Sequence, residues 1–116
     1  MTTKYFIDWV LDIEEDNPIP FEIKHIYFCL HREGDYYYIS MGGSELEQNI
    51  AFSFEYYPLE AQFFDIFNLQ KFFTMHDLKI MVRDLLDNKN VVEKFKEKNI
   101  YIALFGEKSC YKFENE

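Results

Sequence analysis

The spacing of apolar residues changes along the chain, and this change restricts the fold more than any other feature. Residues 3–16 repeat apolar side chains at helical spacing, with Thr3 as a predicted N-cap and Asn17-Pro18 as a predicted stop. Residues 36–41 and 50–57 instead alternate with a period of two, which is typical of strands that have two different faces. The chain therefore begins with a helix and continues as a sheet. The helical stripe is Tyr5, Phe6, Trp9, Val10 and Ile13.

Five segments have the composition of strands. Residues 21–32 are rich in Ile, Tyr, Phe and Leu, but their apolar positions change parity near Lys24-His25. Either a bulge lies there or both faces of this strand are covered. Glu33-Gly34-Asp35 has the composition of a turn and predicts a hairpin with residues 36–41. Residues 50–57, 100–105 and 110–113 are the third, fourth and fifth predicted strands.

Three further helices are predicted between the third and fourth strands. Pro58 fits a first helical position, and Leu59, Phe63, Ile66 and Phe67 follow at helical spacing, whereas the adjacent pair Phe63-Phe64 disagrees with a strand. Thr74 and Asp77 resemble a capping box. The helix it opens has the stripe Met75, Leu78, Val82 and Leu85, and a short helix over residues 91–98 buries Val91, Val92 and Phe95.

The predicted fold is a single α+β domain over residues 1–116. Its element order is α-β-β-β-α-α-α-β-β, with a five-stranded antiparallel sheet, mainly a meander, packed by helices. A chain of 116 residues is too short for two domains that each bury a core.

Composition excludes several classes of function. The formal charge is −9, from 21 acids against 12 bases, which disfavours binding to nucleic acid or to anionic membranes. No uncharged apolar run approaches the roughly 18 residues of a spanning helix. Asp8 and Asp12 interrupt the stretch where a signal peptide would be apolar, so a cytoplasmic protein with reduced thiols is expected.

The three histidines and two cysteines are the candidates for a catalytic or metal site. His25, Cys29 and His31 share parity, but about 13 Å separates His25 from Cys29 along a strand, so one metal ion cannot join them. Cys29 with His31 needs further ligands from a neighbouring strand, and Cys110 between Lys108 and Lys112 is the better thiolate candidate. The glycines form no phosphate or dinucleotide motif. We therefore predict no catalytic residue, no metal and no cofactor. The spacing leaves open whether Cys29 and Cys110 are close to each other in the fold.

The acidic residues are unevenly distributed. Residues 1–70 hold 13 acids and 3 bases, and residues 71–116 hold 8 acids and 9 bases, so the excess charge lies in the first part. The sheet face opposite the core is predicted to present Tyr36, Tyr38, Ser40, Ser53, Glu55 and Tyr57, joined by Tyr101 and Phe105. Tyrosine and acid together suit a binding surface, although a solvated surface has the same composition. The predicted partner-binding residues are Glu14, Glu15, Asp16, Tyr36, Tyr38, Glu45, Glu47, Glu55 and Tyr57.

Three hypotheses follow from these patterns. The first is a non-enzymatic acidic protein-binding module, such as an inhibitor or immunity-type protein that binds a basic partner, for example a nuclease. The second is a small-molecule-binding or hydrolytic enzyme domain with an aromatic-lined pocket between sheet and helices, around Tyr27, Phe63, Phe64 and Phe67. The third is a homodimer formed through the apolar segment from Phe63 to Phe73.

Overall fold

The chain forms a five-stranded sheet with helices packed on one face. The computed structural model describes residues 2–34, 36–46, 55–57, 63–65, 73–104 and 110–113. Its elements, in chain order, are α1 (Thr2–Asp16), β1 (His25–Glu33), β2 (Tyr36–Ser44), β3 (Phe64–Asp65), α2 (Met75–Leu86), α3 (Lys89–Val92), β4 (Asn99–Leu104) and β5 (Cys110–Lys112). The strand order across the sheet is β3-β2-β1-β4-β5. The α+β class and the five-stranded sheet agree with the prediction.

The sheet is mixed, so the predicted antiparallel meander is wrong at its centre. β1 and β2 form the expected antiparallel hairpin, but β1 pairs with β4 in parallel, from His25 opposite Asn99 to Leu30 opposite Leu104. β3 runs antiparallel to β2 and therefore in the same direction as β1. The helices that follow β3 bring the chain back to the end of the sheet where β1 begins. A strand entered from that end must run parallel to β1, as in any helical crossover.

The segment from residue 50 to residue 67 differs from the prediction where it is described. In the described part of the chain, Tyr56 of the third predicted strand forms an isolated antiparallel bridge with Gly43, and residues 50–54 lie outside that part. Phe64 and Asp65, placed in a predicted helix, form β3 against Ile39 and Tyr38. Phe63, also in that predicted helix, lies in the described part of the chain and is not helical, and the other residues of the predicted helix lie outside it.

The adjacent residues Phe63 and Phe64 led to the wrong prediction of a helix, because both faces of the sheet are covered. Phe63 contacts His31 on one face, with ring centroids 5.5 Å apart. Phe64 contacts Phe6 of α1 on the other face, at 5.6 Å. Successive side chains of an extended segment point to opposite faces, so two neighbouring apolar residues are compatible with a strand that is covered on both sides.

The helices bury most of the predicted stripes in one core with the sheet, although Tyr5 of the first stripe is 53% exposed. α1 contributes Phe6, Val10 and Ile13, and α2 contributes Leu78, Met81, Val82 and Leu85. The capping box is confirmed, because the Thr74 hydroxyl accepts from the Asp77 backbone N–H and the Asp77 carboxylate accepts from the Thr74 N–H at 2.8 Å. Such a cap stabilises a helix by about 1 kcal/mol.

The predicted helix over residues 91–98 is shorter and begins earlier. α3 follows Asn88, whose side chain accepts from the Asn90 N–H at 2.9 Å and caps the helix. Val91 and Phe95 are buried as predicted, but Val92 is 47% exposed. A four-residue helix followed by turns does not keep the spacing of a longer helix, so Val92 lies outside the core.

β1 is buried on both faces, which resolves the parity change in residues 21–32. Ile26, Phe28 and Leu30 belong to the core under the helices, and Tyr27, Cys29 and His31 are buried on the other face. The strand begins only at His25, so Phe21 and Ile23 lie in the connector before it. The second of the two predicted explanations is therefore correct, and no bulge is needed.

Candidate functional site

The sheet face away from the helices carries a buried layer of polar and aromatic side chains. Tyr27 and Tyr101 are opposite each other in the β1–β4 pair and stack with centroids 4.5 Å apart and planes 9° apart. Nδ1 of His25 and the hydroxyl of Tyr101 lie 2.8 Å apart in a hydrogen bond. Tyr101 is 2% exposed. Its predicted place on an outward binding face is therefore wrong, because this face is covered as well.

Ser40 lies between His31 and Cys29 in this layer. Its hydroxyl is 2.7 Å from Nε2 of His31, a geometry that in other settings activates a serine nucleophile. Ser40 is only 3% exposed, however, and its neighbours in β1 and β2 are paired along the ladder. A hydrolase needs donors free to hold an oxyanion and room for a substrate. We therefore interpret the Ser40–His31 contact as a buried structural hydrogen bond.

The two cysteines lie on the same face of the sheet but are not bridged. Cys29 pairs with Ala103, which pairs with Cys110 on the next strand, and both cysteines are free. Two strand spacings separate their Cα atoms by roughly 10 Å, beyond the reach of a disulfide. Burial raises the pKa of the Cys29 thiol to about 12, the nearby Cys110 adds to the rise, and the Ser40 hydrogen bond opposes it. Cys29 is therefore a protonated thiol at neutral pH.

Metal binding receives no support from the described residues. The groups His25, Cys29 and His31 keep their predicted parity, but within residues 2–34, 36–46, 55–57, 63–65, 73–104 and 110–113 no three His, Cys, Asp or Glu side chains are arranged to hold an ion. In the same ranges, no helix combines the length and apolar character needed to cross a membrane.

The predicted tyrosine face is only partly exposed. Tyr38 stacks on His31, with centroids 4.7 Å apart and planes 4° apart, and also contacts Phe63 at 4.6 Å. Tyr36 is exposed and lies at the edge of this cluster, 5.6 Å from Tyr38. Ser40, also predicted to face outward, is buried. Of the predicted face, Tyr36 at the start of β2, Glu55 and Tyr57 are exposed, and Ser53 and Phe105 lie outside the described residues.

The predicted aromatic pocket is not formed by the residues assigned to it. Tyr27 packs in the layer away from the helices, whereas Phe64 belongs to the core beneath them. Phe63 joins Tyr27's side of the sheet through its contact with His31. Residues on opposite faces of one sheet cannot line a single pocket, and Phe67 lies outside the described residues. Phe64 and Phe73 are buried in the core, so of the proposed dimer segment only Phe63 is described as exposed.

Acidic residues converge at the end of the sheet where β1 begins and β2 ends, which we call the acidic end. The Tyr56 hydroxyl donates to the Asn17 carbonyl at 2.6 Å, which joins the end of α1 to residues 55–57. The backbones of Tyr56 and Gly43 exchange hydrogen bonds of 2.7 and 3.1 Å. The Glu55 carboxylate accepts from the Glu45 N–H at 2.8 Å. These bonds place the exposed residues Asp16, Glu45 and Glu55 at this end, with the exposed Glu15 next to Asp16 in the sequence. The Lys24 N–H donates to the Ser44 carbonyl at 3.2 Å, which brings the connector with the exposed Glu22 to the same end.

The Glu14 side chain stabilises the fold at the acidic end. Its carboxylate accepts from the Ile19 N–H at 3.0 Å and lies 3.9 Å from the Lys94 ammonium. Burial raises the pKa of the Tyr56 hydroxyl, and the charge of Glu14 raises it further. Glu14 therefore holds the connector between α1 and β1, and the carboxylates of its neighbours Glu15 and Asp16 remain at the surface.

Exposed apolar side chains also lie at the acidic end. The sequence patterns did not indicate two of them, Phe21 and Leu46, as surface residues. Phe21 and Leu46 are each 76% exposed, and Tyr57 is also exposed. The Lys24 ammonium lies 3.6 Å from the centroid of the Phe21 ring. Phe21 was assigned to a strand, although the preceding Pro-Ile-Pro was a signal that it belonged to the connector.

The structure thus divides the predicted partner-binding residues. It brings together Glu14, Glu15, Asp16, Glu45, Glu55 and Tyr57 at the acidic end. Tyr36 and Tyr38 lie toward the other end of β2, and roughly 27 Å of strand separates Tyr36 from Ser44. Glu47 lies outside the described residues. Searches for related proteins add no further assignment, because no protein-family model, curated protein or solved structure matches this chain.

Proposed function

We propose that this chain is a non-enzymatic protein-binding module whose acidic end holds a basic protein partner, in the manner of an inhibitor or immunity-type protein that covers a nuclease. The observation that carries the proposal is the convergence of exposed carboxylates from α1, the connector, the end of β2 and Glu55. These acids come from separate parts of the sequence, and hydrogen bonds through Tyr56 hold their backbones in one place.

The electrostatics of this end favour a basic partner. Three lysines lie nearby: Lys94 is 3.9 Å from the Glu14 carboxylate with 42% of its side chain exposed, Lys98 donates to the carbonyls of Pro20 and Ile23, and the Lys24 ammonium lies over the Phe21 ring. Burial lowers the pKa of Lys98, and the neighbouring charge of Lys24 lowers it further. The five exposed carboxylates of the acidic end outnumber these three lysines, on a chain of formal charge −9. Such a surface accelerates association with a positively charged protein and makes binding sensitive to salt.

Phe21 and Leu46 offer the apolar contact area that the carboxylates lack. Exposed charge pairs contribute little net affinity, whereas buried aromatic and aliphatic side chains dominate most interfaces. Each of the two is 76% exposed at the acidic end. An apolar centre with a charged rim is the usual anatomy of a specific protein interface. We therefore expect the partner to cover Phe21 and to place basic residues around it.

Charge reversal at the acidic end tests this function. The test variant carries Glu15→Lys, Asp16→Lys and Glu45→Lys. The matched control carries Asp8→Lys, Asp12→Lys and Asp84→Lys, which are exposed acids on α1 and α2 with the same total charge change. Lysine near the end of α1 complements the helix dipole, so loss of the fold is not expected from the test variant.

The binding assay compares three immobilised proteins at low salt. Wild type and control are expected to retain the same basic protein from a cell extract, and the acidic-end variant is expected to lose it. Titration of the purified partner by calorimetry should then show at least about tenfold weaker binding to the variant, and weaker binding to wild type at high salt. Equal retention by all three proteins, equal loss in both variants, or no basic protein on wild type would contradict the proposal.

A further inference from the structure

Four aromatic side chains contact one another on the sheet face away from the helices, near the start of β2. We call His31, Tyr36, Tyr38 and Phe63 the aromatic cluster. The Tyr38 ring stacks on His31 with planes 4° apart, so His31 covers one face of that ring. The ring centroids of Phe63 and Tyr36 lie 4.6 and 5.6 Å from that of Tyr38. Tyr38 is therefore the centre of the cluster.

The two outer rings are inclined to the central ring and reach the surface. The ring planes of Phe63 and Tyr36 make angles of 53° and 49° with that of Tyr38. Phe63 is 47% exposed, Tyr36 is 40% exposed, and Tyr38 is half-buried. A group that binds here contacts rings in several planes, not a single flat surface.

A carboxylate shares the face of the cluster. Asp65 lies opposite Tyr38 in the β2–β3 pair, and Tyr38 lies opposite His31 in the β1–β2 pair. Residues directly opposite each other in antiparallel strands point to the same face, with Cβ atoms about 5 Å apart. Asp65 is half-buried, whereas its neighbour Phe64 belongs to the core on the other face. The Asp65 carboxylate therefore adds negative charge beside the rings.

The basic residue of this hairpin lies on the opposite face. The guanidinium of Arg32 lies 5.6 Å from the centroid of the Tyr37 ring. Arg32 and Tyr37 are opposite each other in the ladder, one position along from His31 and Tyr38, so both point away from the cluster. Aromatic ring faces themselves attract positive charge. The described side chains on the cluster's face therefore favour a cation over an anion.

The arrangement of the rings discriminates between kinds of cation. A guanidinium group is planar and stacks best on one flat ring face, and a lysine ammonium is strongly hydrated. His31 already occupies one face of Tyr38, and the other two rings are tilted. A quaternary ammonium group is compact, and its methyl groups can contact several inclined rings at once, as in aromatic cages.

We infer that the aromatic cluster binds a quaternary ammonium group, carried by a small solute or by a trimethylated lysine of a peptide. The methyl groups contact the rings of Tyr36, Tyr38 and Phe63, and the Asp65 carboxylate attracts the charge. The inference goes beyond the proposed function and does not depend on it. The acidic end is a separate surface, since roughly 27 Å of strand separates Tyr36 from Ser44.

Choline and neohexanol test the role of the charge. Neohexanol is the neutral alcohol in which a carbon atom replaces the nitrogen of choline, so the two solutes have the same shape. Binding is followed by the backbone amide resonances of the ¹⁵N-labelled full chain. Choline is expected to shift the resonances of Tyr36, Tyr38 and Phe63, and to bind at least about fivefold more tightly than neohexanol.

Two amino acid amides distinguish the source of the cation. Acetyl-trimethyllysine-amide should bind at least about fivefold more tightly than acetyl-lysine-amide, because the methylated head is less hydrated. Tighter binding of acetyl-trimethyllysine-amide than of choline assigns the site to a modified peptide. Equal or tighter binding of choline assigns it to a small solute. Equal binding of the two amides would contradict the assignment to a quaternary ammonium group.

Substitutions by leucine test the contribution of the ring. The test variant is Phe63→Leu, and the control is Tyr5→Leu, because both rings are about half exposed, at 47% and 53%. Phe63→Leu should bind choline at least about threefold more weakly, with an unchanged affinity for neohexanol, since leucine keeps an apolar surface but has no ring face. Tyr5→Leu should bind both solutes as wild type does. Circular dichroism checks that both variants keep the fold.

Several results would overturn the inference. They are equal affinities of choline and neohexanol for wild type, equal losses in the two leucine variants, and shifts confined to residues outside the cluster. The Glu15→Lys, Asp16→Lys, Glu45→Lys variant should bind choline as wild type does, because the acidic end lies beyond the screening length of about 8 Å at physiological salt. Loss of choline binding in that variant would place the cation at the acidic end and refute the site.

Discussion

Replacement of Gly43 by alanine is expected to destabilise the fold. Gly43 lies opposite Ile26 in the β1–β2 ladder and bridges Tyr56, so it connects the sheet to the acidic end. Its φ is not in the left-handed region, and alanine is compatible with the backbone. A Cβ atom there would lie 2.5 Å from Cγ2 of Ile23, 3.0 Å from Cδ1 of Ile26 and 3.2 Å from the carbonyl oxygen of His25. The contact with Ile23 is the decisive one.

The sign of the change in stability on Gly43→Ala distinguishes an uncrowded strand position from one crowded by the core. In an uncrowded strand, alanine is more stable than glycine by about 0.5 to 1 kcal/mol, because the unfolded chain loses less freedom. An inserted methyl group that overlaps a packed core costs about 1 to 3 kcal/mol. Cγ2 of Ile23 is fixed by the branch at Cβ and cannot rotate away cheaply. We therefore expect a net loss of about 1 to 2 kcal/mol, or roughly 4 °C in Tm for each kcal/mol at this chain length.

Urea denaturation, followed by circular dichroism, measures the loss, and a second substitution identifies its cause. Ile23→Ala removes Cγ2, so Gly43→Ala should cost at least about 1 kcal/mol less in that background. Ile23→Val shortens the side chain but keeps Cγ2, so Gly43→Ala should cost nearly as much as in wild type. The steric explanation is refuted if Gly43→Ala is as stable as wild type, or if the two Ile23 backgrounds relieve its cost equally.

Two further changes test other parts of the fold. Glu97→Gly should raise the free energy of unfolding by about 1 kcal/mol in urea, because glycine adopts a φ of 66° without strain; an unchanged midpoint would contradict this. The Cys29 thiol should react far more slowly than that of Cys110 with a thiol reagent in the native state, because Cys29 is buried and its pKa is raised to about 12. Since the folded pKa of Cys29 exceeds its ordinary value of 9.0, stability is fully present below about pH 9 and falls as the pH rises toward 12. The Cys29→Ala variant should show a smaller alkaline loss of stability, and an unchanged loss would contradict the assignment.

Local patterns in the sequence, namely apolar spacing and a capping box, were sufficient to predict α1 and α2. The apolar spacing of residues 3–16 corresponds to α1, and the Thr74–Asp77 capping box opens α2. The hairpin of β1 and β2 was also predictable, because the turn composition lies directly between its two strands. Each of these features depends on residues close together in the chain.

The features that were predicted wrongly depend on contacts between segments that are distant in the sequence. The parallel pairing of β1 with β4 joins His25 to Asn99, and nothing in either segment specifies the direction of its neighbour. Alternation reveals a strand only when one face is solvated, so Phe64 was misread because both faces are covered. The acidic end could be predicted as a charge excess in residues 1–70, but not as a surface. Its geometry depends on the hydrogen bond from Tyr56 to Asn17.

The coverage of both sheet faces also decides where a binding surface can lie. Aromatic residues make up 20% of the chain, and a sheet with one open face would display many of them as a broad adhesive surface. Here Tyr27 and Tyr101 are buried in the second layer, so they stabilise the sheet and are not available to a partner. We therefore expect the proposed partner at the ends of the strands and in the connectors. The exposed Phe21 and the surface carboxylates of the acidic end lie there.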